Sequence, residues 1–200
     1  MTLSIGRNRL GDEGTKYIGH ALQHNEVISS EVLLFIIVSI TYLFIQTLTT
    51  LDLEDNEIGH RGAQHLATAL QQNKTLITLD LASNHIGNNG AIYLANALEQ
   101  NKALLLLNLK ANHIDNQGAR HLANSIAKNE TLTTLELYNN EIGDSGAEYL
   151  RNALEQNKTL TSLGLENNKI GELGAQHLGY ALRQNKVTQL LIQSPAYYIL

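Results

Sequence analysis

Residues 76–103 read LITLDLASNHIGNNGAIYLANALEQNKA, and two different periodicities follow one another within this stretch. Leu79 and Leu81 alternate with polar neighbours, the two-residue period of a short strand with one buried face. Leu94, Ala95, Ala97 and Leu98 then fall on one side of a helix that ends on Glu99, Gln100 and Asn101. Gly90 precedes that helix, with Asn88 and Asn89 available to cap it.

The stretch recurs every 28 residues: blocks starting at Leu48, Leu76, Leu104, Leu132 and Leu160 each follow LxxLxLxxNxI, a glycine-containing turn and a segment like GAxxLAxALxxN. One short strand and one helix cannot bury their apolar faces alone, so neighbouring copies must stack and share a core. Strands sit about 4.8 Å apart while helix axes need roughly 8–10 Å, which bends the stack with its strands inside. The sequence therefore predicts an α/β solenoid, a horseshoe with short parallel strands on the concave side and helices on the convex side. The ninth position of every block is asparagine, at Asn56, Asn84, Asn112, Asn140 and Asn168, and Asn8 marks a truncated further copy. An amide both donates and accepts, which suits backbone groups left unpaired where a strand ends, so this row is expected to be structural.

The pattern breaks twice. Deleting Val27 to Gln46 joins Asn25-Glu26 to Thr47-Leu48-Thr49-Thr50-Leu51 and gives NETLTTL, identical to residues 129–135. Valine codons begin with GT and glutamine can be CAG, the ends of a short in-frame intron, so a retained or mispredicted intron is expected here. Within it Val32 to Ile45 is strongly apolar, yet it is short against the ~20 residues that a membrane-crossing helix needs. At the other end Asn185-Lys186 is followed by VTQLLIQSPAYYIL, again starting on valine. The expected organisation is a truncated first repeat over 1–26, an apolar insert over 27–46, five repeats over 47–187 and an irregular tail over 188–200.

The formal charge of -5, with no basic block, argues against nucleic acid as a partner. The absence of cysteine excludes a disulfide scaffold and suits a reducing compartment. The start MTLSIGRNRLGDEG does not read as a signal peptide, so the cytoplasm is the expected location.

The blocks LDLxxNxIGxxGAxxLAxAL resemble the leucine-rich repeats of ribonuclease inhibitor and of NOD-like receptors, including those with a CARD domain, over residues 1–26 and 47–187. In such receptors the repeats form a sensing or autoinhibitory segment beside a nucleotide-binding domain, whose GxxxxGK[ST] loop this sequence lacks. The resemblance implies a protein-binding module without enzymatic activity. Two alternatives stand beside it: an enzyme regulator resembling Ran-type GTPase-activating proteins, and a gene fragment without independent function.

Concave positions alternate with the buried leucines. The fifth reads Asp52, Asp80, Asn108, Glu136 and Gly164, and the seventh reads Glu54, Ala82, Lys110, Tyr138 and Glu166. This acidic row with one aromatic and one lysine fits a protein partner with a basic surface. The carboxylates have no nucleophile or histidine beside them, so no catalytic residue is expected, and no cofactor either. His65, His121 and His177 alternate with Tyr17, Tyr93 and Tyr149 at position 18, too far apart for a shared metal. His85 and His113 lie in adjacent copies, but two ligands make no metal site. Asn73, Asn129 and Asn157 fit the glycosylation pattern in helix-exit turns and are read as loop residues.

Overall fold

The computed structural model describes residues 2–23, 48–184 and 189–191. Strands β1 (Thr2–Ser4), β2 (Thr50–Asp52), β3 (Thr78–Asp80), β4 (Leu106–Asn108), β5 (Thr134–Glu136), β6 (Ser162–Gly164) and β7 (Gln189–Leu191) form one open parallel sheet in sequence order. Helices α1 (Gly11–Gln23), α2 (His60–Gln72), α3 (Gly87–Gln100), α4 (Asn116–Lys128), α5 (Asp144–Gln156) and α6 (Glu172–Gln184) alternate with them. Each helix packs against its neighbours in that series.

Beneath the sheet the leucines and isoleucine of each block close a continuous core. Leu76, Leu79, Leu81 and Ile86 are all buried, as are Leu104, Leu107, Leu109 and Ile114 one repeat further on. The strand β1 pairs with β2 in the register Thr2↔Thr50, and α1 packs on α2. The first copy thus stacks on the second as adjacent repeats do. The apolar insert expected over 27–46 lies outside the described residues. Among those that are described, no helix is long and apolar enough to cross a membrane.

Two expectations need correction. Within the tail taken as irregular from 188 onward, Gln189–Leu191 add the strand β7 to the free edge of β6, whose unpaired backbone groups invite another strand. Its register, Ser162↔Gln189, is one residue shorter than the repeat. Helix α3 also starts at Gly87 rather than after Gly90, and neither Asn88 nor Asn89 caps it. Asn88 works in trans instead: its Oδ1 accepts from the N–H groups of Asp115 and Gly118, at the start of α4.

The same cross-repeat cap recurs. Asp12 accepts from Gly59 and Gly62, Asn116 from Gly143 and Gly146, and Asp144 from Gly171 and Gly174, at 2.7–3.0 Å. An imidazole at His60 occupies this place before α3, and no cap bond forms there. The consequence is visible in the backbone. Gly87 takes φ 59°, and its N–H turns to the carbonyl of Asn112, whereas the capped Gly143 and Asp115 stay extended at φ -106° and -102°. Alanine at position 87 must hold a left-handed conformation, so Gly87→Ala is expected to cost about 1–2 kcal/mol. Gly143→Ala should stay within about 0.5 kcal/mol, since the nearest atom to its added carbon lies 3.5 Å away. Urea midpoints of the two variants provide the comparison.

Candidate protein-binding surface

The sheet register places the fifth-position side chains side by side, pairing Asp52 with Asp80, Asp80 with Asn108 and Asn108 with Glu136. Each of the first three also ties down the exit of its own strand: Asp52 accepts from the Glu54 N–H, Asp80 from Ala82 and Asn108 from Lys110. Two cross-strand bonds then join the row. Asn108 Nδ2 donates to Asp80 Oδ2 at 3.0 Å, and the Ser4 hydroxyl donates to Asp52 Oδ2 at 2.6 Å. Ser4 was not among the residues expected from sequence, because the truncated first copy hides its place in the row.

The seventh-position residues Glu54, Lys110, Tyr138 and Glu166 are all half-buried on the same face. Lys110 does not spread its charge over the acidic row: its ammonium sits 4.9 Å from the centre of the Tyr138 ring, a cation–π contact. At Gly164 the missing side chain leaves room that the Glu136 carboxylate fills, with a Glu166 oxygen also close by. Partial burial, and then the neighbouring charge of Glu166, push the Glu136 carboxyl above the usual carboxylate range. Its charged form is thereby disfavoured, and a cation brought to this place would counter the repulsion from Glu166.

The asparagine row lies behind this face as a continuous ladder. Asn84 Oδ1 accepts from the N–H groups of Asn56 and Ile58, while its Nδ2 donates to the carbonyls of Leu53, Leu81 and Ala82. Asn8, Asn56, Asn112, Asn140 and Asn168 donate to backbone carbonyls in the same manner. A second ladder runs along the helix exits and was not foreseen. Asn101 Nδ2 donates to the carbonyls of Leu70 and Asn73, and its Oδ1 accepts from Ala103 and Leu104. Asn73, Asn129 and Asn157 belong to it and are buried, so the residues with the glycosylation pattern are scaffold. The sign available in the sequence was the recurrence of asparagine at position 26.

Elsewhere, His85 and His113 stack with centroids 6.2 Å apart, and His113 Nδ1 faces Glu141 at 3.5 Å. No group of three or more metal-type side chains converges among the described residues. On the helical side Tyr93 and Tyr149 pack against the core, whereas Tyr17 is exposed.

Residues 45–67, 72–95, 128–150 and 156–179 match the family described as Leucine Rich repeat. The fold is that of a leucine-rich-repeat solenoid. A comparison with curated proteins returned no match. Among solved structures, these leucine-rich repeats are similar to "Leiomodin-1 Actin-Binding Site 2 (ABS2)", at a TM-score of 0.54 and 27% identity, over 62% of this chain and 72% of that one. The leucine-rich repeats therefore share their architecture with a domain whose printed name describes binding to another protein.

Proposed function

We propose that the chain is a protein-binding module, a sensing or regulatory segment of the NOD-like-receptor kind, that holds a partner with a basic surface on its concave face. The observation that carries this reading is the division of labour within the repeat. The core leucines and the ninth-position asparagines are constant from copy to copy, while the fifth and seventh positions vary and gather the half-buried Asp52, Glu54, Asp80, Glu136 and Glu166 around one lysine. Strand-exit bonds occupy Asp52 and Asp80 in part, but so many like charges on one face self-repel, and they steer and orient a partner of opposite sign.

The test is charge reversal in the combination Asp52→Lys, Asp80→Lys and Glu136→Lys. Captured on the unchanged protein, a partner is expected to bind the variant at least about tenfold more weakly, with the difference shrinking as salt is raised. Equal capture by both proteins refutes the reading.

The likeness to the leiomodin-1 actin-binding site favours a second reading, in which the partner is actin. Co-sedimentation with actin filaments, and competition for actin monomers, decides between the two. Binding that survives the triple reversal would move the working surface away from the concave face.

A further inference from the structure

The five complete copies differ where each strand begins. Positions two and three hold Thr49-Thr50, Ile77-Thr78, Leu105-Leu106, Thr133-Thr134 and Thr161-Ser162, so a single copy places two leucines where hydroxyl residues are the rule. The fold has no use for them. Leu104, Leu107 and Leu109 already fill the core beneath with 0% exposure, and Leu105 stands 39% exposed with Leu106 and Ile77 half-buried beside it. The backbone that carries them is held rigidly: the Leu105 N–H donates to the Ile77 carbonyl at 2.8 Å, and the Leu105 carbonyl accepts from Thr133 at 2.9 Å.

This apolar patch lies in the middle copy of the acidic face. Leu106 is two residues before Asn108, which is flanked across the sheet by Asp80 on one side and Glu136 on the other. Leu106 itself pairs with Thr78 and Thr134, and Asp80 and Glu136 stand two residues further along those neighbouring strands, so a carboxylate lies diagonally across from Leu106 on each side. The nearby cation, Lys110, is engaged by the Tyr138 ring.

We infer that Leu105, Leu106 and Ile77 form the anchor point of the concave face, and that the partner is a protein segment presenting one large apolar side chain between lysines or arginines. The inference rests on the proposed concave-face reading and adds its chemistry of recognition. An apolar side chain buried there contributes affinity, while the flanking cations meet Asp80 and Glu136 and fix its register.

Two fluorescent peptides test it by anisotropy at low ionic strength, one with a central leucine flanked by lysines and the other with serine in place of that leucine. The unchanged protein is expected to bind the leucine peptide about tenfold more tightly. In the double variant Leu105→Thr, Leu106→Thr, which carries the residues of its sister copies and whose folding a thermal melt verifies, the two peptides should bind within about twofold of one another. Asp80→Lys with Glu136→Lys should weaken both. No preference for leucine, or a preference that survives the threonine variant, overturns the anchor while leaving the charge-driven reading standing. Failure of both peptides to bind, or indifference to charge reversal, removes the concave-face reading and the anchor with it. Self-association of the unchanged protein that the threonine variant abolishes would assign the patch to a second copy of this chain and overturn the inference.

Discussion

Replacing Asn84 by alanine is expected to lower the unfolding free energy by about 3 kcal/mol, a large share of the 5–15 kcal/mol that holds an ordinary domain together. The buried amide serves five backbone groups, and it is the acceptor for both the Asn56 and the Ile58 N–H. Alanine leaves those donors without it at a site where Asn84 is 1% exposed, too closed for water to replace the oxygen freely. Each unsatisfied buried donor costs about 1–3 kcal/mol. Neighbouring repeats share the ladder, so the damage extends past one copy. The control is Asn96→Ala on the exposed side of α3, expected to stay within about 0.5 kcal/mol. Urea denaturation compares them, and equal midpoints would mean that the ladder is incidental to stability.

A second large effect separates two kinds of asparagine that look alike in the sequence. Asn101→Asp is expected to cost about 3–5 kcal/mol at neutral pH, whereas Asn116→Asp should change stability by less than about 0.5 kcal/mol. Asn101 uses its Nδ2 as a donor to the Leu70 and Asn73 carbonyls at 2.6 and 3.0 Å, so a carboxylate would set an unpaired charge against two acceptors. Asn116 uses only its oxygen, toward Gly143 and Gly146, and the chain itself places aspartate at the equivalent Asp12 and Asp144. The pH dependence follows in sign. Repulsion raises the folded-state pKa of an aspartate at position 101 above its unfolded value, so the stability of that variant should recover as pH falls through the raised pKa, where the protonated oxygen can donate, and level off once pH is below the ordinary carboxylate pKa. Thermal melts at neutral and acid pH would show this, and a loss independent of pH would point to packing instead.

The fold was legible because the signals that define it are repeated. Leu79, Leu81 and Asn84 recur at fixed spacing, and a residue kept in every copy reports a role that every copy needs. The trans-capping row was harder to see, because Asp12, Asn88, Asn116 and Asp144 sit next to helix starts of their own and read locally as ordinary caps. Only the stack brings them against the following repeat. The second ladder was obscured by chemistry, since Asn73-Lys-Thr75 spells an acceptor sequence as well as a helix exit. The concave row was located from alternation alone, but the bonds that tie Asp80 to Asn108, and Lys110 to Tyr138, depend on side chains 28 residues apart meeting across the sheet. Leu105 and Leu106 stand in a leucine-rich string that hides them in the sequence, and it is the 39% exposure of Leu105 that sets the pair apart.

The central claim is that recognition takes place on the strand face. Carbodiimide labelling of the carboxylates, with and without the captured partner, reads this directly. Protection at Asp52, Asp80, Glu136 and Glu166, with Glu148 and Glu172 on the exposed helical side labelled as before, is the predicted result. Unchanged labelling of the concave carboxylates with protection of the helical ones would contradict it.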